Sequence, residues 1–280
     1  MAVDLGKPPR ILVVHGVQTG SNASIQLAQQ VQALIDPVLA ASHIREDYQV
    51  LQYLYEDTND AHPTVQLAKQ LASAIAKGRP LRRKALTMAV DLIGDVVIAA
   101  GQGSTAATIR AGLRQKILDS HQQGHRVLLL AHSLGSFYAL QVLNEMLAEP
   151  GLFAGEDRRF WPVQGLVTLG SPLGLSLALG PWQIFPKIEL NPVPAAHERL
   201  PWHNFYSRHD PIVSGRVFGN KVQVAGTEGP VELRYRQGCD AKGWLLHGHY
   251  VHTGQRWLLA HTAYWQDPSL AMRLVAMLWG

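Results

Sequence analysis

The chain has 280 residues, 47% of them hydrophobic, and one cysteine, Cys239. This length and composition are enough to bury one large core, so we expect a single domain spanning residues 1–280. A lone cysteine excludes an intramolecular disulfide, and a net charge of +4 without a basic and aromatic binding module argues against a nucleic-acid partner. We expect a cytoplasmic protein, because residues 1–10 do not lead from a basic segment into an apolar signal region.

The first element is an apolar run over residues 10–17 that ends in His15-Gly16-Val17. It predicts a central parallel strand, and the turn after it lies at the edge where open α/β sheets place their sites. Apolar residues at helical spacing follow over residues 25–35, and we expect Pro37 and the polar residues 42–47 to end that helix. Residues 48–55 then predict a second strand.

Residues 57–124 have helical patterns throughout. A basic run at residues 77–84 precedes an apolar stretch at 86–100, which is too short, and with two aspartates too polar, for a membrane span. One interpretation makes the basic run a solvated connector and the apolar stretch part of a cap or of the core. The other makes them an interfacial element that contacts an anionic membrane surface. Residues 109–118 resume a helix that leads to the next strand.

The most informative stretch is residues 126–140, in which four apolar residues precede Ala131-His132-Ser133-Leu134-Gly135 and a helical pattern follows. A serine on a sharp turn between strand and helix exposes its hydroxyl above the sheet, and places the Leu134 N–H where an oxyanion would form. Small residues are required two positions before and after it, where strand and helix approach closely. The alternative is that Ser133 only caps the helix.

This pentapeptide resembles the nucleophile elbow of α/β-hydrolases of the lipase and esterase type, with Ala131 as the one departure from G-x-S-x-G. The resemblance implies an α/β-hydrolase fold, with a mostly parallel sheet, helices on both faces and a helical cap, which we expect near residues 78–110 and 174–200. It also implies a second oxyanion-hole amide from Gly16 or Val17, for which we take Val17. The strand at 163–169, which ends in T-L-G-S-P, resembles the same family.

The acid of such a triad would follow a later strand. Residues 203–207 predict a short strand, and Asp210 follows it in a turn. Asp240 is the alternative acid, although no clear strand brings it to the carboxyl end of the sheet.

The base is the most open assignment, because the C-terminal region offers His247, His249, His252 and His261. The resemblance implies a histidine in a loop just before the last helix, which Asp267-Pro268 begins, and this favours His261, with His249 as the alternative base. His247, His249 and His252 also have the close spacing of zinc ligands, but no cysteine or carboxylate pattern completes a site. We therefore expect no metal and no cofactor.

Ser133, Asp210 and His261 occur in the chain order of α/β-hydrolases. The resemblance therefore implies a serine hydrolase that cleaves carboxylic, acyl or lipid esters through an acyl-enzyme. An acyltransferase or thioesterase would use the same residues. A binding or scaffold protein that has kept the fold without the chemistry is the alternative from another class.

Overall fold

The computed structural model describes residues 3–15, 23–53, 55, 104–171, 190–207, 209–210, 213, 239–252, 254 and 258–279. Within them the chain forms one seven-stranded sheet in the order β2-β1-β3-β4-β5-β7-β6. The strands are β1 (Arg10–His15), β2 (Gln49–Tyr53), β3 (Val127–His132), β4 (Gly165–Leu169), β5 (Leu200–Tyr206), β6 (Cys239–Ala241) and β7 (Trp244–Tyr250). Six strands are parallel and β6 is antiparallel to β7, so the expected mostly parallel α/β sheet is confirmed.

Helices cover both faces of this sheet. α1 (Ala23–Ala41) packs beside α5 (Pro268–Trp279) on one face, and α2 (Ser104–Gln122) packs beside α3 (Leu134–Leu147) on the other. Strand β3 is buried on both faces, since Leu128 and Leu130 belong to the core beneath α1 and α5, and Leu129 to the core beneath α2 and α3. Burial on both faces explains why this strand is a continuous apolar run.

Three local expectations are wrong. Helix α1 ends at Ala41, directly before the polar residues 42–47 as expected, but Pro37 does not stop it. Buried Leu39 packs in the core beneath α1 and α5, and this tertiary contact outweighs the proline's lost hydrogen bond. Strand β5 begins at Leu200, three residues before the predicted start. His261 lies in a short helix, α4 (Leu258–Thr262), which a 3₁₀ turn at residues 263–266 joins to α5, rather than in a loop.

The basic run, the apolar stretch at 86–100, most of both predicted cap segments, and Gly16 and Val17 lie outside the described residues. Residues 104–110, the described end of the first cap segment, form the start of α2, and Ala106 and Ile109 are fully buried in the core there. No helix in the described ranges has the length and apolar character needed to cross a membrane.

The carboxyl ends of the parallel strands form a common edge. His15 pairs with His132, His132 with Leu169, and Leu169 with Phe205 across four neighbouring strands. β1 lies between β2 and β3, so the chain reverses its direction across the sheet beside β1. Open α/β sheets bind their ligands at such a reversal point.

Candidate active site

Ser133 forms the turn between β3 and α3. Its backbone has φ 54° and ψ −131°, a conformation that residues with a side chain rarely adopt. Its amide donates to the Leu169 carbonyl at 2.9 Å, which ties the turn to the end of β4. The serine occupies the helix N-cap position, but its hydroxyl makes no capping hydrogen bond. Helix capping therefore does not account for this serine.

Gly135 lets α3 begin directly against the end of β1. A Cβ at this position would overlap the Val14 carbonyl oxygen and lie 2.8 Å from the Val14 carbonyl carbon. Backbone atoms of a central strand have no room to move, so only glycine fits. The expected requirement for a small residue two positions after the serine is met here. Leu134 is the first residue of α3, where a backbone N–H has no acceptor within its own helix.

Asp210 and His261 form a hydrogen-bonded pair. The His261 Nδ1 atom lies 2.8 Å from Asp210 Oδ2, the carboxylate is fully buried, and 14% of the histidine side chain is exposed. Because a carboxylate accepts, Nδ1 carries the proton, and the Nε2 lone pair of the neutral ring is left to act as a base. The structure thus brings together two of the predicted site residues that are 51 positions apart in sequence.

Tyr264 supports the same carboxylate, a contact that the sequence analysis missed. Its hydroxyl donates to Asp210 Oδ2 at 2.7 Å and accepts from the Ser207 amide at 3.1 Å. Burial, and then the Asp210 carboxylate, raise the pKa of Tyr264 well above its ordinary value, so the hydroxyl stays protonated as a donor. The Tyr-Trp pair after His261 was visible in the sequence, but nothing there indicated its partner.

Gly170 leaves room for the Asp210–His261 pair beside the end of β4. Its φ is 54°, and a Cβ there would lie 3.0 Å from both Asp210 Oδ2 and His261 Nδ1. Gly170 directly follows Leu169, whose carbonyl holds the Ser133 amide. The Ser133 backbone and the Asp210–His261 pair therefore both adjoin the end of β4, and no hydrogen bond joins the Ser133 hydroxyl to His261 within the described ranges. Catalytic hydrogen bonds are often long in ligand-free enzymes and tighten when substrate binds.

His132 was also missed as a site residue. It is buried, with its Nε2 2.8 Å from the His261 carbonyl oxygen and its Nδ1 3.2 Å from His15 Nε2. Burial, and then the neighbouring His261 and His15, lower the pKa of His132 well below its ordinary value. His132 is therefore a neutral group directly behind the elbow. Side chains alternate along β3, so His132 and Ala131 lie on opposite faces of the sheet. The sequence did not reveal the partners of His132.

The alternative base, His249, has other partners. It lies on β7, with its Nε2 2.9 Å from His203 Nδ1, and its ring stacks on Phe205 at 4.5 Å between centroids. Burial and the neighbouring Arg273 lower the pKa of His249 to about 4 and that of His203 to about 3. The structure thus brings His261 to Asp210, and His249 to a stack of histidines between β5 and β7.

The alternative acid, Asp240, lies at the opposite end of the sheet. Its backbone pairs with Leu245 near the start of β7, whereas the site lies where β5 and β7 end. Tyr250 lies five residues along the strand from Leu245, a distance of about 16 Å.

The candidate zinc ligands do not converge. His247 stacks on His203 at 4.7 Å between ring centroids, whereas His252 contacts His209 and Tyr250. Across the described part of the chain, no group of three or more His, Cys, Asp or Glu side chains is arranged to hold a metal ion.

Comparison with models of known protein families finds no match, and comparison with curated proteins finds no related sequence.

Proposed function

We propose that the protein is a serine hydrolase of the α/β-hydrolase type that cleaves carboxylic esters. The observation that carries the proposal is the hydrogen bond between His261 Nδ1 and the buried Asp210, beside a serine with a left-handed backbone between strand and helix. Ser133 is partly exposed at this turn. A general base at such a position benefits from a buried carboxylate, because the carboxylate fixes its tautomer and stabilises its charged form.

The arrangement of the strands supports the proposal. Ser133 follows a central strand, Asp210 follows a strand two positions further along the sheet, and His261 precedes the last helix. This order resembles that of α/β-hydrolases, in which Ser, Asp and His come in the same sequence along the chain.

The proposed reaction proceeds through an acyl-enzyme. His261 Nε2 takes the Ser133 proton as the hydroxyl oxygen attacks the ester carbonyl, and the imidazolium then returns that proton to the departing alcohol. Water attacks the acyl-serine in the second half, giving its proton to His261, and the acid leaves as Ser133 is reprotonated. Each half begins and ends with a neutral imidazole.

The oxyanion of each tetrahedral intermediate needs hydrogen-bond donors that are already in position. The Leu134 amide has the required character, because it begins α3 and is next to the serine. The Val17 amide is proposed as the second donor on the resemblance alone.

The experiment is reaction with a fluorophosphonate probe, together with turnover of p-nitrophenyl butyrate. We expect the wild-type protein to be labelled on Ser133, and Ser133→Ala to lose labelling and at least about 1,000-fold in kcat. Ser120→Ala is the matched control, since Ser120 is a buried serine whose hydroxyl donates to the Lys116 carbonyl of its own helix. A wild-type protein that neither reacts nor turns over would refute the enzyme and favour the binding-protein alternative.

Contact with a membrane surface is part of the proposal and rests on the sequence of residues 77–100 alone. We expect salt-sensitive binding to vesicles of anionic lipid, and loss of that binding in a double variant with Arg82→Glu and Arg83→Glu. Unchanged binding in that variant would leave the basic run as a solvated connector.

A further inference from the structure

Three histidine rings form a row behind the candidate active site. His15 and His132 have ring centroids 4.9 Å apart, and His132 and His261 have centroids 4.7 Å apart. His15 ends β1, His132 ends β3, and His261 lies in α4. The row therefore joins three segments that are far apart in sequence.

The direction of the hydrogen bonds in this row follows from one atom. The His261 backbone oxygen is a carbonyl and only accepts, so His132 must carry a proton on Nε2 to donate to it. With Nε2 protonated, a neutral His132 has its lone pair on Nδ1, and His15 Nε2–H donates to it. Both ring nitrogens of His132 are thus engaged.

His132 is enclosed by aromatic side chains. Only 3% of it is exposed, and the Tyr264 and Trp265 rings pack against it in T-shaped geometry at 6.3 and 5.7 Å between centroids. Water does not replace a lost hydrogen bond easily at such a position, so removal of the ring nitrogens leaves the His261 carbonyl without this donor.

We propose that His132 is a positioning residue. It holds the His261 backbone at a set distance from Ser133, which follows His132 in the chain. His15 fixes the His132 ring through the hydrogen bond to its Nδ1. Asp210 orients the His261 side chain, and His132 anchors its main chain. Because His132 and Ser133 are consecutive, this hydrogen bond links the base directly to the nucleophile. The inference rests on the proposed function, and it adds an anchor for the His261 main chain that the triad alone does not supply.

The test compares two variants of His132 with a matched control. His132→Phe keeps a ring of similar size but removes both nitrogens, whereas in His132→Gln the side-chain amide nitrogen replaces Nε2 as the donor to the His261 carbonyl. His125→Phe is the control, since His125 is also buried and its Nδ1 donates to the Pro8 carbonyl at 2.8 Å, at the other end of β3. Each protein is assayed for fluorophosphonate labelling rate, kcat and KM at temperatures where it is fully folded.

We expect His132→Phe to lose up to about 100-fold in labelling rate and kcat with little change in KM, because a displacement of the base by about 1 Å has effects of that size. His132→Gln should recover most of that loss, and His125→Phe should match the wild type. Full activity in His132→Phe, failure of the glutamine to recover activity, or an equal loss in His125→Phe would each overturn the inference.

A second measurement separates this inference from the proposed function. Nitrogen NMR of the labelled imidazoles should show His132 as the neutral Nε2–H tautomer at neutral pH, and His132→Phe should shift or broaden the Nδ1 proton of His261. A protonated ring, an Nδ1–H tautomer, or an unmoved His261 signal would overturn the inference even in an active enzyme. If the wild-type protein has no esterase activity but these signals are found, the proposed function fails, whereas the anchoring of the His261 main chain by His132 stands.

Discussion

Replacing Tyr264 with phenylalanine removes one hydroxyl that serves two buried partners. That hydroxyl donates to Asp210 Oδ2 at 2.7 Å and accepts from the Ser207 amide at 3.1 Å. Tyr264, Ser207 and Asp210 are all fully buried, so water does not readily take the place of the hydroxyl. The ring itself stays, and with it the packing against the core beneath α1 and α5.

The cost of this change is large for a single oxygen atom. A buried amide that loses its acceptor costs about 1–3 kcal/mol, and a hydrogen bond to a charged group contributes about 1.5–3 kcal/mol. We therefore expect Tyr264→Phe to lower the free energy of unfolding by about 4 kcal/mol. Because the Asp210 carboxylate then orients His261 less firmly, kcat should fall roughly tenfold at unchanged KM.

The assay is urea unfolding with linear extrapolation, in which a pure stability change moves the midpoint and leaves the slope unchanged. Tyr48→Phe is the matched control, because the Tyr48 hydroxyl also donates to an aspartate, Asp36, at 2.6 Å, but at an exposed site. There water substitutes for the lost partner, and the cost should stay below about 1.5 kcal/mol with unchanged activity. Equal losses of stability in the two variants would refute the reasoning from burial.

The remaining predictions concern the base, the elbow and acid stability. His261→Ala should abolish the acyl-enzyme burst, whereas His249→Ala should retain it; the reverse result would exchange their roles. Gly135→Ala should lower the free energy of unfolding by about 3 kcal/mol, measured by thermal unfolding, because the alanine Cβ meets the Val14 carbonyl. Alanine is otherwise preferred over glycine in helices, so unchanged stability would contradict the close approach of α3 to β1. Burial lowers the pKa of His203 from 6.5 to about 3 in the folded protein. The fold therefore has its full stability above pH 6.5, where His203 is neutral in both the folded and the unfolded chain. This stability is lost as the pH falls from 6.5 towards 3, because only the unfolded chain then takes up the proton. The wild-type protein should thus lose about 2 kcal/mol between pH 7 and pH 5 through this group, and His203→Phe should lose correspondingly less; equal losses would exclude His203 as the cause.

Local patterns in the sequence were enough to predict the strand, turn and helix around Ser133. The continuous apolar run of β3 predicts a strand buried on both faces, and every residue of β3 is buried in the structure. The change of period after Gly135 predicts the helix that follows. Such predictions succeed because burial on two faces, and the close approach of a helix to a strand, restrict the residue types at each position.

The choice among the C-terminal histidines depended on long-range geometry. His249 and His261 both lie shortly before the last helix in sequence. The register of β7 against β5 sets His249 opposite Phe205, whereas α4 carries His261 to the buried Asp210. The place of His261 just before the last helix favoured it, but neither segment by itself encodes the partner of its histidine.

The sequence by itself determined the order of the elements, the buried faces of the strands and the elbow, because each depends on neighbouring residues and on a repeat of two or 3.6. The tertiary structure alone decided which side chains meet. His132 contacts a histidine 117 residues before it and a carbonyl 129 residues after it, and Tyr264 contacts an aspartate 54 residues before it. Contacts of this kind are created when separate crossovers bring strand ends to one edge of the sheet, and no local pattern in the chain records them.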